Sequence, residues 1–424
     1  MDGGARRESP DVPGASTVAQ AARRSAPFGL GCLRRAASSP LAIGMAQAAL
    51  SMAVGLWLRW RDLLLPDPQS WYVHSWQRLA YTDLVALYLQ QELASHPVPY
   101  LETRLEYPVV VGTAQYLVSF APGPAGYLAA AGLVLGAAGL GVVWLLLRMN
   151  PSARFWAFTA TPPLLLYASM NWDLLAIFFA LLGLHLFKRR KEGCSALFLA
   201  LGTWTKLFPA VLLAWVIFRR GMERDWASVA RMGGIACGVS VALNLPVYLA
   251  SPDGWLYFFR FQSARAPDAG SVWSYLAGWS PSTVNLASLL VSVAGILALA
   301  VVGTRRGMGD REFGLAGLAL LVLASKVTSP QYDLWLVPFL ALLRAPIWLV
   351  GLFVGVDLAY LWSSAQMLQV HWGQPSILGD LFSPATRVLN GAHQVALLVV
   401  LAWAVDRGLR RRMGASGRVD APRG

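Results

Sequence analysis

The chain has 424 residues and a formal net charge of +13, with 56% hydrophobic and only 13% charged residues. Soluble domains run at roughly 45–50% apolar and about 25% charged, so a soluble enzyme, a disordered protein and a secreted disulfide scaffold are excluded. The basic balance does not point to nucleic acid, because it is not spread over a polar domain. What remains is an all-α polytopic membrane protein with its positive charge gathered in loops.

Residues 1–38 are polar and rich in Arg, Ala, Ser, Gly and Pro. With no apolar run before a cleavage site, they read as a disordered cytoplasmic tail and not as a secretory signal. Residues 39–406 read as the transmembrane domain and 407–424 as a basic cytoplasmic tail. The first span begins near Pro40 and ends near Leu58. Arg23, Arg24, Arg34 and Arg35 precede it, which sets the N-terminus in the cytoplasm by the positive-inside rule.

Residues 59–107 form the longest polar stretch, a first outer loop with Trp71, Tyr72, Trp76, Tyr81, Tyr88 and Tyr100. Such aromatics suit the headgroup level, and Tyr81–Leu93 reads as an interfacial helix. Beyond Pro108 the chain is apolar, broken by basic clusters at Arg148–Arg154, Lys188–Lys191, Arg219–Arg231, Arg305–Arg311 and Arg407–Arg412. If all face the cytoplasm, the segments between them cross the membrane an even number of times. Phe155–Phe187, Ser195–Phe218 and Phe313–Leu343 then become hairpins, with outward tips at Ser169–Asp173, Thr205–Pro209 and Lys326–Gln331. Their helices are about 11–17 residues, short of the ~20 that span the hydrocarbon core. The tips must therefore be buried in protein or line a wet cavity. Residues 108–121 read as a half-inserted helix, 126–147 as a full span, and 251–282 and 365–386 as outer loops. The total is about ten to twelve membrane helices, with both termini cytoplasmic.

Charge inside apolar segments costs roughly 2.5–3.5 kcal/mol per residue, so each such residue needs a partner or a task. The tips hold Asp173, Lys206, Lys326 and Asp333. Half of the four lysines lie there. They read either as internal ion pairs that orient helices, or as a polar chamber at the outer leaflet in which lysines face an anionic group such as a phosphate. In the first loop Asp83 and Glu106 stand apart from Asp62, Asp67 and Glu92. Asp83 lies on the aromatic-rich helix, and Glu106 stands where the chain re-enters the membrane. Cys32, Cys194 and Cys237 form no CxxC pair, and the five histidines are dispersed, so no required metal and no cofactor is expected.

Thr82-Asp83-Leu84, Val98-Pro99-Tyr100 and Leu105-Glu106-Tyr107-Pro108-Val109 resemble the first-loop pattern of glycosyltransferase family 87, bacterial membrane mannosyltransferase-like proteins of the GT-C superfamily. Gly202-Thr-Trp-Thr-Lys206-Leu-Phe-Pro209 and Ser329-Pro-Gln-Tyr-Asp-Leu-Trp335 are similar to further stretches of that family. The resemblance spans about residues 40–406. One departure is Ser169-Met-Asn-Trp-Asp173, where many relatives have a Gly-Gln or Gly-Asn pair.

The resemblance implies a GT-C-like bundle in a bacterial plasma membrane. The implied activity moves a hexose, most often mannose, from a polyprenyl-phosphate donor to a cell-envelope lipid or glycan acceptor. It implies an acidic general base at Asp83, with Glu106 beside it. Lys206, Lys326 and Arg59 are the expected donor-phosphate ligands, with Arg61 next to Arg59. Asn171, Asp173, Gln331, Asp333 and Tyr107 are the expected chamber residues. The competing reading is a transporter or lipid flippase, which also uses broken helices and buried charges. Against it, the two halves do not repeat one another and the charged tips share one side.

Overall fold

The computed structural model describes residue 1 and residues 39–63, 68–276, 278–371, 376–378 and 383–410. The expected tails at 1–38 and 407–424 therefore lie outside the described residues, apart from Met1 and the four residues to Arg410. The chain divides into Met1–Ile43 and Gly44–Gly424, and every interaction below lies in the second unit.

Among the described residues the secondary structure is helical, with no strand. The helices are α1 (Pro40–Asp62), α2 (Pro68–Gln77), α3 (Asp83–Gln90), α4 (Val109–Ser119), α5 (Gly123–Met149) and α6 (Trp156–Thr159). They continue with α7 (Pro162–Tyr167), α8 (Asp173–Lys188), α9 (Glu192–Thr203), α10 (Pro209–Met222), α11 (Trp226–Ala250) and α12 (Pro252–Ala264). The last are α13 (Pro281–Arg306), α14 (Asp310–Ala324), α15 (Val337–Leu342), α16 (Ile347–His371) and α17 (Pro384–Arg410). Six of these, α1, α5, α11, α13, α16 and α17, are long and apolar enough to cross a membrane. The protein is an all-α multi-pass membrane protein.

The three hairpin segments break where the sequence turns polar. Helices α8, α9, α10 and α14 have 16, 12, 14 and 15 residues. The remaining legs are more broken than two continuous helices. Pro162 and Pro163 separate α6 from α7, and Pro330 and Pro338 divide the last leg into a 3-10 turn (Pro330–Trp335) and α15. Each proline lacks an N–H and cannot extend a preceding helix. Met149, Lys188, Arg219 and Arg311 line one cavity of about 540 Å³, so four of the five basic clusters meet at one end of the hairpins.

The core is apolar and ring-rich. Trp215 stacks on Phe313 at 4.0 Å, and Tyr88 tilts against Tyr127 at 4.9 Å. The second contact shows what holds α3: Leu84 to Tyr88 are all buried, so this helix is packed into protein and does not lie open on the bilayer. Gly55 has a steric task. A β-carbon there would stand 2.0 Å from the Leu165 carbonyl oxygen, so only glycine lets α1 meet α7 this closely. The expected loop at 365–386 is helical as far as His371, and much of its remainder lies outside the described residues.

Candidate active site

The first hairpin tip and the first loop are bonded to each other. Thr82 caps α3, accepting from the Leu84 N–H at 3.2 Å and donating to the Ser169 carbonyl at 2.7 Å. The Asp83 N–H donates to the Met170 carbonyl at 2.9 Å. These bonds set the Asp83 side chain on the first turn of α3 beside Asn171. Asn171 Nδ2 donates to Asp83 Oδ2 at 2.7 Å and to the Tyr107 hydroxyl at 2.8 Å. Its own carbonyl oxygen accepts from the Trp172 N–H, which fixes which end of the amide faces the carboxylate. The Tyr81 hydroxyl also bonds Asp83, and its ring is stacked on Trp76 at 3.9 Å.

The second tip joins through α4, whose Val110 N–H donates to the Trp204 carbonyl at 3.1 Å. It brings Lys206, whose Nζ lies 3.2 Å from Asp173 Oδ2 and about equally over the rings of Tyr107 (5.5 Å) and Tyr332 (5.8 Å). Trp335 Nε1 donates to the other Asp173 oxygen at 2.7 Å. The third tip contributes Lys326, Gln331 and Tyr332.

All three tips open on one cavity of about 660 Å³. Asp83, Glu106, Tyr107, Asn171, Lys206 and Arg265 line its polar part, with Lys326 and Gln331 further along. The other wall is mostly apolar: Phe258 and Phe261 of α12, Leu289 of α13, and Leu321 and Val322 of α14, with Gln262, Ser288 and Ser292 among them. Leu289 is also 59% exposed, so the cavity is open beside α13.

Burial holds the Asp83 carboxyl above the ordinary aspartate range, and the Lys206 ammonium and the Tyr81 and Asn171 hydrogen bonds pull it back down. Burial, and after it the charge of Asp83, push Glu106 upward. Both carboxyls are thus held above their ordinary ranges in one cavity, each within the other's field.

Three expected site residues do not line the cavity. Arg59 is fully buried in α1, and its guanidinium bonds the carbonyls of Gly55 (3.0 Å) and Leu166, tying α1 to α7. Its neighbour Arg61 turns to Asp62 (3.4 Å), which Arg78 also holds at 2.7 Å. Asp333 is buried against His393 Nε2 at 2.8 Å, and Asp173 stands behind Lys206 as its counter-ion. Arg265 was missed by the sequence reading: it is an ordinary loop arginine in the sequence and faces the cavity only because α12 ends there. Tyr81 and Tyr332 were legible only as aromatics. Among the described residues no group of three or more His, Cys, Asp or Glu is placed to hold a metal ion.

In comparison with known proteins, the model of glycosyltransferase family 87 matches residues 105–330, more than half of the chain. The matched segment holds Glu106, Asn171, Lys206, Arg265 and Lys326 but begins after Asp83. No curated protein matches the sequence.

Proposed function

The chain belongs to glycosyltransferase family 87, and from that premise we propose that it moves a hexose, mannose foremost, from a polyprenyl-phosphate donor to a hydroxyl of a cell-envelope lipid or glycan. The reaction takes place at the outer leaflet. The observation that carries this reading is the single cavity that joins an oriented carboxylate, Asp83, to cations at Lys206 and Arg265 and to an apolar side opening at Leu289. An amphiphilic donor needs these three features together: a dry path for its chain, positive charge for its phosphate, and a proton acceptor where the acceptor hydroxyl attacks.

The acceptor oxygen forms a bond to the anomeric carbon while the bond from that carbon to the phosphate oxygen breaks. Asp83 takes the hydroxyl proton, and the phosphate leaves with the electron pair. Its charge grows from that of a diester to that of a monoester. Cations therefore bind the departing group more tightly than the donor, which is the condition for catalysis. Asn171 and the Tyr81 hydroxyl orient the Asp83 carboxyl, and the Lys206 ammonium favours its charged form against the pull of burial. Glu106 faces the same space and orients the acceptor.

The test uses purified protein in nanodiscs with radiolabelled decaprenyl-phosphate mannose and a total lipid and glycan extract. Label is expected to pass to an acceptor of the extract. Folded protein that moves no label from this donor or from the matching glucose and galactose donors would overturn the proposal.

A further inference from the structure

Lys326 lies on the cavity wall, yet two of the three N–H groups of its ammonium are already engaged. Nζ donates to the carbonyls of Ser263 at 3.1 Å and Arg265 at 2.6 Å. Ser263 is in the last turn of α12 and Arg265 caps it, so no helical N–H reaches either carbonyl, and a cation there also offsets the negative end of the helix. The backbone repeats the link: the Asp268 N–H donates to the Lys326 carbonyl at 2.9 Å, and the Thr328 N–H to Asp268 Oδ2 at 3.0 Å. Ser271 and Trp273 side chains bond the carbonyls of Ser325 and Ala324, each at 2.8 Å. The third tip and residues 263–273 thus form one bonded unit.

That unit carries Arg265 into the cavity. Its guanidinium stands 3.4 Å from Asp268 Oδ1 and 5.9 Å above the Phe261 ring, with 36% of the side chain still exposed. A guanidinium has a planar fork of five N–H donors. With Asp268 engaging one edge, the fork keeps donors for two oxygens of a phosphate, a geometry that an ammonium cannot offer. Lys206, by contrast, is held to the buried Asp173.

We infer that Arg265 is the residue that meets the donor phosphate, and that Lys326 is a positioning residue that holds Arg265 in place by clasping the end of α12. The inference rests on the proposed polyprenyl-phosphate donor. Lys326 acts on the phosphate through Arg265, and Asp268 shares the task because it bonds both Arg265 and the third tip.

The probe is decaprenyl phosphate, which binds without turnover, measured by its affinity for nanodisc-held protein well below the unfolding temperature. Loss of a charge-assisted bidentate contact predicts that Arg265→Met weakens binding roughly 10- to 100-fold. Arg265→Lys should recover only a small part of that loss. Lys326→Met should weaken binding less, and should add almost nothing when Arg265 is already Met, because interacting residues are not additive. If Lys326→Met does not fold, Asp268→Asn takes its place with the same expected pattern. Multiplied losses in the double variant would make Lys326 a phosphate contact in its own right and overturn the inference. So would unchanged affinity in Arg265→Met; if the wild type still transfers sugar in the assay above, the proposed function survives that failure. Wild-type protein that does not bind decaprenyl phosphate at all overturns both.

Discussion

Asp83→Asn removes one proton-accepting oxygen and leaves the shape of the site intact. In the folded protein Asp83 Oδ2 accepts from Asn171 Nδ2 at 2.7 Å. An asparagine there keeps its carbonyl oxygen for Asn171, because two N–H groups cannot face each other. Its amide nitrogen then takes the place of the other oxygen, where it can donate but cannot accept a proton. A general base contributes about 10²- to 10⁴-fold, which is roughly 3–5 kcal/mol of barrier at 1.36 kcal/mol per decade. The loss belongs to the transition state, so it should fall on kcat and leave the donor KM almost unchanged. Initial rates in nanodiscs, at equal protein and saturating donor, measure it. Asp83→Asn retaining more than about a tenth of kcat would refute the reasoning, since the smallest expected base contribution is about a hundredfold. If Glu106→Gln abolishes turnover under the same conditions, the base is Glu106 and the two roles are reversed.

Asn171→Leu removes a hydrogen bond that favours the charged form of Asp83, so it should raise the Asp83 pKa further above the ordinary aspartate range. The working form is the carboxylate. The acid limb of a kcat/KM–pH profile should therefore move to higher pH, with the loss growing as the pH falls. An unmoved limb would detach Asn171 from the base. Arg59→Met should lower the thermal unfolding temperature in detergent and leave the donor KM where it is, because Arg59 bonds the Gly55 and Leu166 carbonyls. A raised KM with unchanged stability would return it to the phosphate site. Gly55→Ala forces a β-carbon to within 2.0 Å of the Leu165 oxygen, and overpacking of this kind costs about 1–3 kcal/mol. Thermal melts should register that loss, and an unaltered melt would mean that α1 and α7 separate freely.

The hairpins were legible because charge and length are local properties. Basic clusters that all face one side require an even number of crossings between them, and segments of 24 to 33 residues are too short for two ordinary spans, which leaves pairs of short helices whose tips carry polar residues. The direction of a side chain at a tip is a different matter. Gln331, Tyr332, Asp333 and Trp335 lie in a 3-10 turn of three residues per turn. Tyr332 and Trp335 therefore share a face and line the cavity, while Asp333 turns to His393 on α17. Residue type and spacing alone do not assign those faces. Arg59 was misplaced for a related reason. An arginine at the end of a span ordinarily reaches for headgroups, but this one finds a carbonyl brought in by a helix about a hundred residues later. The setting of Asp83 is no more local: Thr82 caps α3 from within, but it reaches the hairpin tip through the Ser169 carbonyl, 87 residues later.

The two tip lysines show where such reading stops. Lys206 precedes Pro209 by three residues and Lys326 precedes Pro330 by four, and each stands at the break of an apolar hairpin. Nothing in residue type or spacing separates them. What separates them is the group that meets each ammonium: a side-chain carboxylate, Asp173, for Lys206, and the backbone end of α12 for Lys326. A carboxylate partner leaves a lysine as half of an ion pair whose position can respond to an incoming phosphate. A helix terminus uses the lysine as a cap and passes the contact with the phosphate to whatever side chain the helix ends on. In this chain that residue is Arg265, so the phosphate-facing charge of the third tip comes from a helix some sixty residues before it.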